Sequence, residues 1–166
     1  IFPYSLVVSG KGSEVSVAEY VASADDQFGL VCGVSDLIAE EDSKLTYVRT
    51  QNLSENAHSI QLSSLLSYKN SKVKNFSLNL GCEWLRHESI SRLLGDGANS
   101  EMISVSVPES SQEFDMRTLQ LHEKPSTSSD LLYKNALYDE SKTTFSGMIK
   151  VYEGAHQTDA YQTCRN

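Results

Sequence analysis

The sequence predicts an all-β fold: a flattened β-solenoid of about six rungs, two strands to a rung. Three observations predict it. They are an internal repeat of about 29 residues, two landmarks that hold phase through six repeats, and an imperfect period-2 alternation in the segments that follow the connectors. The first landmark is an apolar pair or near-pair that ends on a turn. It occurs at Val7-Val8, Leu37-Ile38, Leu65-Leu66, Leu93-Leu94, Leu121-His122 and Val151-Tyr152, with first members 30, 28, 28, 28 and 30 residues apart. The second is a hydroxyl residue, a charge and an apolar residue. It occurs at Ser13-Glu14-Val15, Ser43-Lys44-Leu45, Ser71-Lys72-Val73, Ser100-Glu101-Met102, Ser129-Asp130-Leu131 and Thr158-Asp159-Ala160, its apolar members 30, 28, 29, 29 and 29 apart.

The elements follow in order. Short connectors such as Ser9-Gly10-Lys11-Gly12, Ala39-Glu40-Glu41-Asp42 and Gly95-Asp96-Gly97-Ala98-Asn99 carry the Gly and Asn that tight turns require. After each comes a strand. Val15, Val17 and Val21 alternate with Ser16, Ala18 and Tyr20, and Ile103, Val105 and Val107 alternate with Ser104 and Ser106. Phe76, Leu78 and Leu80 run on the opposite phase from Val73. The other half of each repeat is extended too: Leu30 to Ile38, His58 to Leu66, Trp84 to Leu94, Phe114 to Leu121 and Thr144 to Tyr152. Longer connectors span Ser23 to Gly29, Asn52 to Ala57, Pro108 to Gln112 and Tyr138 to Ser141. No capped 3.6-residue stripe appears, so helix is expected to be minor. Constant rung length favours a solenoid over a sandwich or a propeller. Val15, Leu45, Val73, Met102, Leu131 and Ala160 are expected to stack as one apolar column.

Length and composition set the limits. A chain of 166 residues with 39% hydrophobic and 22% charged residues suits one ordinary globular domain. Its net charge of −8 argues against a nucleic-acid or anionic-membrane binder, and no apolar run reaches the ~20 residues of a membrane span. Three scattered cysteines make no disulfide framework, so a cytoplasmic, reducing location is expected. The chain opens on Ile1 without a signal peptide and stops on Asn166 without a terminating motif, which reads as an excerpt of a longer protein.

Chemistry-bearing residues are sparse. Cys32, Cys82, Cys164, His58, His87, His122 and His156 make no CxxC or HxxxH spacing, and read as fillers or satisfied polar residues. No GxSxG elbow is present, and 26 serines make any serine–histidine pairing uninformative. Gly10-Lys11-Gly12 lacks the length and ending of a phosphate loop and reads as a turn. The pairs Glu40-Glu41 and Asp25-Asp26 read as solvated turn charges. Trp84 and the tyrosines read as packing at the core or rung edge. The charges Glu14, Lys44, Lys72, Glu101, Asp130 and Asp159, one per rung and mixed in sign, read as a solvated face.

One stretch carries a family resemblance. Phe145, Gly147, Ile149 and Val151, then Ala155, Thr158, Asp159, Ala160, Gln162, Arg165 and Asn166, match the phrase F-x-G-x-I-x-V followed by T-D-A-x-Q-x-N-R-N of the SufB/SufD family of the SUF iron–sulfur assembly system. Leu132-Tyr133-Lys134 and the strand Leu45 to Gln51 resemble other family phrases, and the flavour is closer to SufD. Cys164 stands where the family usually has Asn, His156 and Gln157 where it has Gln and Lys, and Cys82 where relatives tend to have Gly. The resemblance implies a right-handed parallel β-helix across residues 1–166, one core segment truncated at both ends relative to the family. It implies a non-enzymatic scaffold working with SufB-like and SufC-like subunits. No catalytic, cofactor-binding or metal-binding residue is carried over, and any iron–sulfur cluster belongs to the whole complex. A homodimer through the exposed ends of the stack is expected. Two other readings stand beside it: a secreted β-helix polysaccharide lyase or hydrolase, and a structural solenoid adaptor.

Overall fold

A computed structural model describes residues 1–166. Twelve strands and no helix make up the chain: β1 (Tyr4–Ser9), β2 (Glu14–Ala22), β3 (Gly29–Ala39), β4 (Lys44–Asn52), β5 (Ala57–Ser67), β6 (Lys72–Asn79), β7 (Trp84–Leu93), β8 (Asn99–Ser106), β9 (Glu113–His122), β10 (Ser128–Asn135), β11 (Lys142–Val151) and β12 (Asp159–Arg165). The odd strands form one six-stranded sheet and the even strands another, and every strand pairing is parallel. Each odd–even pair is one rung, so the chain is a flattened solenoid of six rungs with its core between the two sheets.

The turns from odd to even strands explain why the chain folds back so regularly. Each has a residue with φ > 0 just before the even strand, at Gly12, Asp42, Asn70, Gly97, Ser126 and Gln157, and the longer last turn has a second at Gly154. Gly, Asn and Asp bear that conformation at least cost. The next residue is a hydroxyl in five rungs. Its oxygen donates back to the carbonyl three residues earlier, as from Ser13 to Gly10 (2.7 Å), Ser43 to Glu40 (2.7 Å) and Ser71 to Tyr68 (2.7 Å). Thr127 and Thr158 do the same, while the fourth rung has Ala98.

The register corrects the expected stacking at two places. Val15 pairs with Leu45 and Leu45 with Val73, but Val73 then meets Ser100, while Met102 faces Asn75. Further on, Leu131 meets Gln162 and Ala160 meets Ser129. The apolar column is therefore broken twice, each time by a slip of two residues. The end-of-strand landmark fails as well: Leu65 pairs with Ser91, a slip of two, whereas Leu93 pairs with His122, one residue past the expected Leu121, so His122 faces inward and Leu121 outward. The charged face divides too, because Lys72 meets Asn99, while Glu101 and Asp130 stand one column over beside Lys74. The cause lies in the connectors. From Gln51 to His58 the chain takes seven steps, but from the matching Asn79 to Trp84 only five. A slip of two keeps every side chain on its own face, so the alternation conceals it.

The interior is more polar than alternation suggests. In β8 the inward residues are Ser100, Met102, Ser104 and Ser106, while Ile103 and Val105 face outward. The two sheets share a thin core, so large residues of one sheet need small ones opposite. Ser106 Oγ lies 3.4 Å from the sulfur of Met116, one of the largest fully buried side chains. Buried Ser35, Ser63, Ser89 and Thr118 form one continuous hydroxyl column through β3, β5, β7 and β9.

Candidate functional site

The chemistry-bearing side chains that the fold brings together lie inside the solenoid. On β4, Leu45, Tyr47, Arg49 and Gln51 all point inward and are buried. Arg49 is 2% exposed and stands opposite Glu19 of β2. Its Nε lies 3.2 Å from Glu19 Oε2, an ion-pair distance without hydrogen-bond alignment, and Nη1 and Nη2 meet no protein acceptor. Burial pulls the guanidinium pKa down, and Glu19 opposes that pull. Glu19 is also held by Tyr47, whose hydroxyl donates at 2.7 Å, and by Ser5 at 2.8 Å. Tyr47 in turn meets Ser35 (3.3 Å), to which Gln61 Nε2 donates (3.0 Å).

A second group lies two rungs on. His87, 2% exposed, places Nε2 at 3.2 Å from Ser63 Oγ and 3.3 Å from Ser89 Oγ, and Tyr133 donates to Ser89 at 3.5 Å. Burial, helped by the nearby Arg49 charge, pushes His87 down to about 3. The ring is therefore neutral in the folded protein. The unfolded chain takes up a proton near pH 6.5, so this contribution is complete above that pH and is lost as pH falls towards 3. His122 is shifted the same way by burial, between Thr127 Oγ1 (2.8 Å) and Ser129 Oγ (2.9 Å). Urea unfolding is expected to show about 2 kcal/mol less stability at pH ~5 than at pH ~7.5 from His87 alone. His87→Asn should flatten that slope. An unchanged slope in the variant would assign the acid sensitivity elsewhere.

The cysteines are dispersed. Cys82 is fully buried in the connector before β7, and desolvation pushes its thiol up to about 12. It also holds φ at 79°, the left-handed region that favours glycine. Cys32 is half-buried on the outer face of the odd sheet, and Cys164 is exposed on β12. Alkylation followed by peptide mapping is expected to label Cys164 and Cys32 well before Cys82. Equal labelling of all three would refute the buried placement. His156 sits exposed in a turn, while His58 lies at the edge, 3.1 Å from Glu83 and beside Trp84. No group of three or more His, Cys, Asp or Glu side chains is set to hold a metal ion. The interior seam thus supplies fixed dipoles, one buried ion pair and a neutral imidazole.

Sequence reasoning singled out neither Glu19 nor Arg49. The signal was present: Arg49 falls on the same phase as Leu45 and Tyr47, so strict alternation sends a guanidinium into the core.

Two six-stranded parallel sheets wound rung upon rung, with a hydrogen-bonded polar interior, place the chain in the β-solenoid class of proteins. Within that class, the chain belongs to the family described as SUF system FeS cluster assembly, SufBD core domain, whose model matches residues 1–166. Among curated relatives it is 24% identical over 156 residues to the iron-sulfur cluster assembly protein SufD of Escherichia coli, covering 94% of this chain and 37% of that protein. It is 24% identical over 149 residues to an iron-sulfur cluster assembly SufBD family protein of Staphylococcus saprophyticus, covering 89% of this chain and 32% of the relative. A Staphylococcus epidermidis family member matches at 23% over the same share. The chain spans about a third of the length of these relatives.

Proposed function

We propose that this chain is the core of a SufD-like scaffold subunit, acting with SufB-like and SufC-like subunits to assemble iron–sulfur clusters in the cytoplasm. The observation that carries the reading is the SufBD core match over all six rungs. In this role the segment is not itself an enzyme. It contributes a stiff stack that holds partners in register, and the cluster is cargo of the whole assembly. The test is co-purification of the full-length protein with SufB-like and SufC-like partners under reducing conditions. Failure to associate would overturn the reading.

Self-association belongs to the same proposal. β1 and β2 at one end, and β11 and β12 at the other, each pair on one side only. Both ends also expose large apolar residues, Leu6 and Val8 at one and Met148 and Val151 at the other. Unpaired parallel edges with apolar neighbours recruit further strands. The isolated 166-residue segment is expected to form end-to-end dimers or larger species. A monodisperse monomer in light scattering over a wide concentration range would contradict this.

A further inference from the structure

The connectors from even to odd strands form one long edge of the solenoid. They comprise residues 23–28, 53–56, 80–83, 107–112 and 136–141, and hold seven carboxylates with no lysine or arginine. The opposite edge, residues 10–13, 40–43, 68–71, 94–98, 123–127 and 152–158, holds six carboxylates and three lysines. The chain's negative charge is therefore concentrated on the first edge. Of its seven carboxylates none meets a lysine or arginine, and Glu83 alone meets a basic side chain, the His58 ring at 3.1 Å.

This edge is also shaped. The short connector Leu80–Glu83 is recessed between its neighbours. It opens a notch of about 420 Å³, lined by Leu80 and Gly81 and by Asp26, Glu55 and Glu109 of the flanking rungs. The walls are fixed by hydrogen bonds. Asn56 Nδ2 donates to the Asp26 carbonyl (2.7 Å), Glu109 N donates to Gln112 Oε1 (2.9 Å), and Gln51 Nε2 donates to the Gly81 carbonyl (2.7 Å). On the same edge Phe28, His58 and Trp84 form an edge-to-face ladder, with ring centroids 5.4 and 6.3 Å apart, and Phe28 is 72% exposed.

We propose that this edge docks a basic segment of a partner protein. One lysine or arginine head enters the notch among Asp26, Glu55 and Glu109. Its neighbours lie along the unpaired carboxylates, and an alkyl or guanidinium stem packs on Phe28 and Trp84. Charge complementarity selects the occupant: an acidic segment or a nucleic acid would be repelled by the edge. The exposed Phe28 ring and the half-buried Trp84 beside these carboxylates add cation–π attraction for the same groups. Because hydrogen bonds hold the backbone of the notch, little main-chain ordering is lost on binding. The inference does not depend on which assembly the protein joins.

The experiment uses the full-length protein and a fluorescein-labelled peptide of alternating Lys, Arg and Gly, read by anisotropy at low and high salt. A Glu-for-Lys/Arg peptide is the counterpart. The double variant Glu55→Lys/Glu109→Lys is compared with Asp96→Lys/Glu153→Lys, which makes the same charge change on the opposite edge. We expect the basic peptide to bind and the acidic one not. The notch variant should lose about tenfold or more in affinity, and the control less than about threefold. Phe28→Ser, which leaves every charge in place, should weaken binding by a few-fold. Equal loss in both double variants, or no binding by the unaltered protein, would overturn the proposal.

Discussion

Replacing Glu19 with glutamine is expected to destabilise the solenoid by about 3–5 kcal/mol, the usual cost of stranding one member of a buried ion pair. Arg49 is 2% exposed and has no second carboxylate, so the guanidinium would stay buried and uncompensated. Tyr47 and Ser5 would also lose the carboxylate they bond. The double variant Glu19→Leu/Arg49→Met should recover most of the loss, because it removes both charges and fills the space with apolar atoms. Urea unfolding followed by circular dichroism reads the global change, and hydrogen exchange across β2 and β4 reads the local one. A Glu19→Gln protein within about 1 kcal/mol of the parent would mean that Arg49 is solvated by other means.

The pair matters beyond its energy, because alternation alone leaves the register open. Strands β5, β7, β9 and β11 are legible to within two residues at each end, since strong period-2 runs stop at Gly-, Asn- and Ser-bearing turns. The family phrase from Phe145 to Asn166 is legible because its residue types are unusual in sequence. The slip after Val73 is not legible: Ser100 and Met102 both face inward, and either could stack there without exposing an apolar side chain. What decides is buried and polar. Arg49 must meet Glu19, and Asn79 Nδ2 donates to both Ser104 (3.3 Å) and Ser106 (3.2 Å). Gln51 binds the Gly81 carbonyl through Nε2, while its Oε1 accepts from Leu80 N and Gly81 N. Such groups lose their partners in a slipped register, at about 1–3 kcal/mol each. The inward serines are the counterpart: they look like surface residues until the opposite sheet supplies Met116 and Tyr133. The acidic edge was hidden for a different reason. Its carboxylates are scattered one or two per connector along the chain, and only the stacking gathers them.

Gly81→Ala is expected to cost about 3 kcal/mol, at the upper end for overpacking, because what it meets is backbone. A Cβ at this position would run into the Leu53 carbonyl oxygen and stand 2.8 Å from Leu53 N. Neither atom can withdraw freely, since the same carbonyl accepts from Cys82 N at 3.1 Å and Gln51 clamps the Gly81 peptide. Two other glycines provide the scale. At Gly12 an added Cβ meets nothing within 4 Å but φ is +68°, so alanine there should cost about 1–2 kcal/mol through the backbone alone. At Gly29 there is open space and no positive φ, so alanine should be close to neutral. The expected order of loss in urea midpoint is Gly81, then Gly12, then Gly29. If Gly81→Ala proves no worse than Gly29→Ala, the third connector is not held tight against Leu53. The two-residue recess would then have no steric basis, and neither would the register that β6 and β8 adopt nor the notch between Glu55 and Glu109.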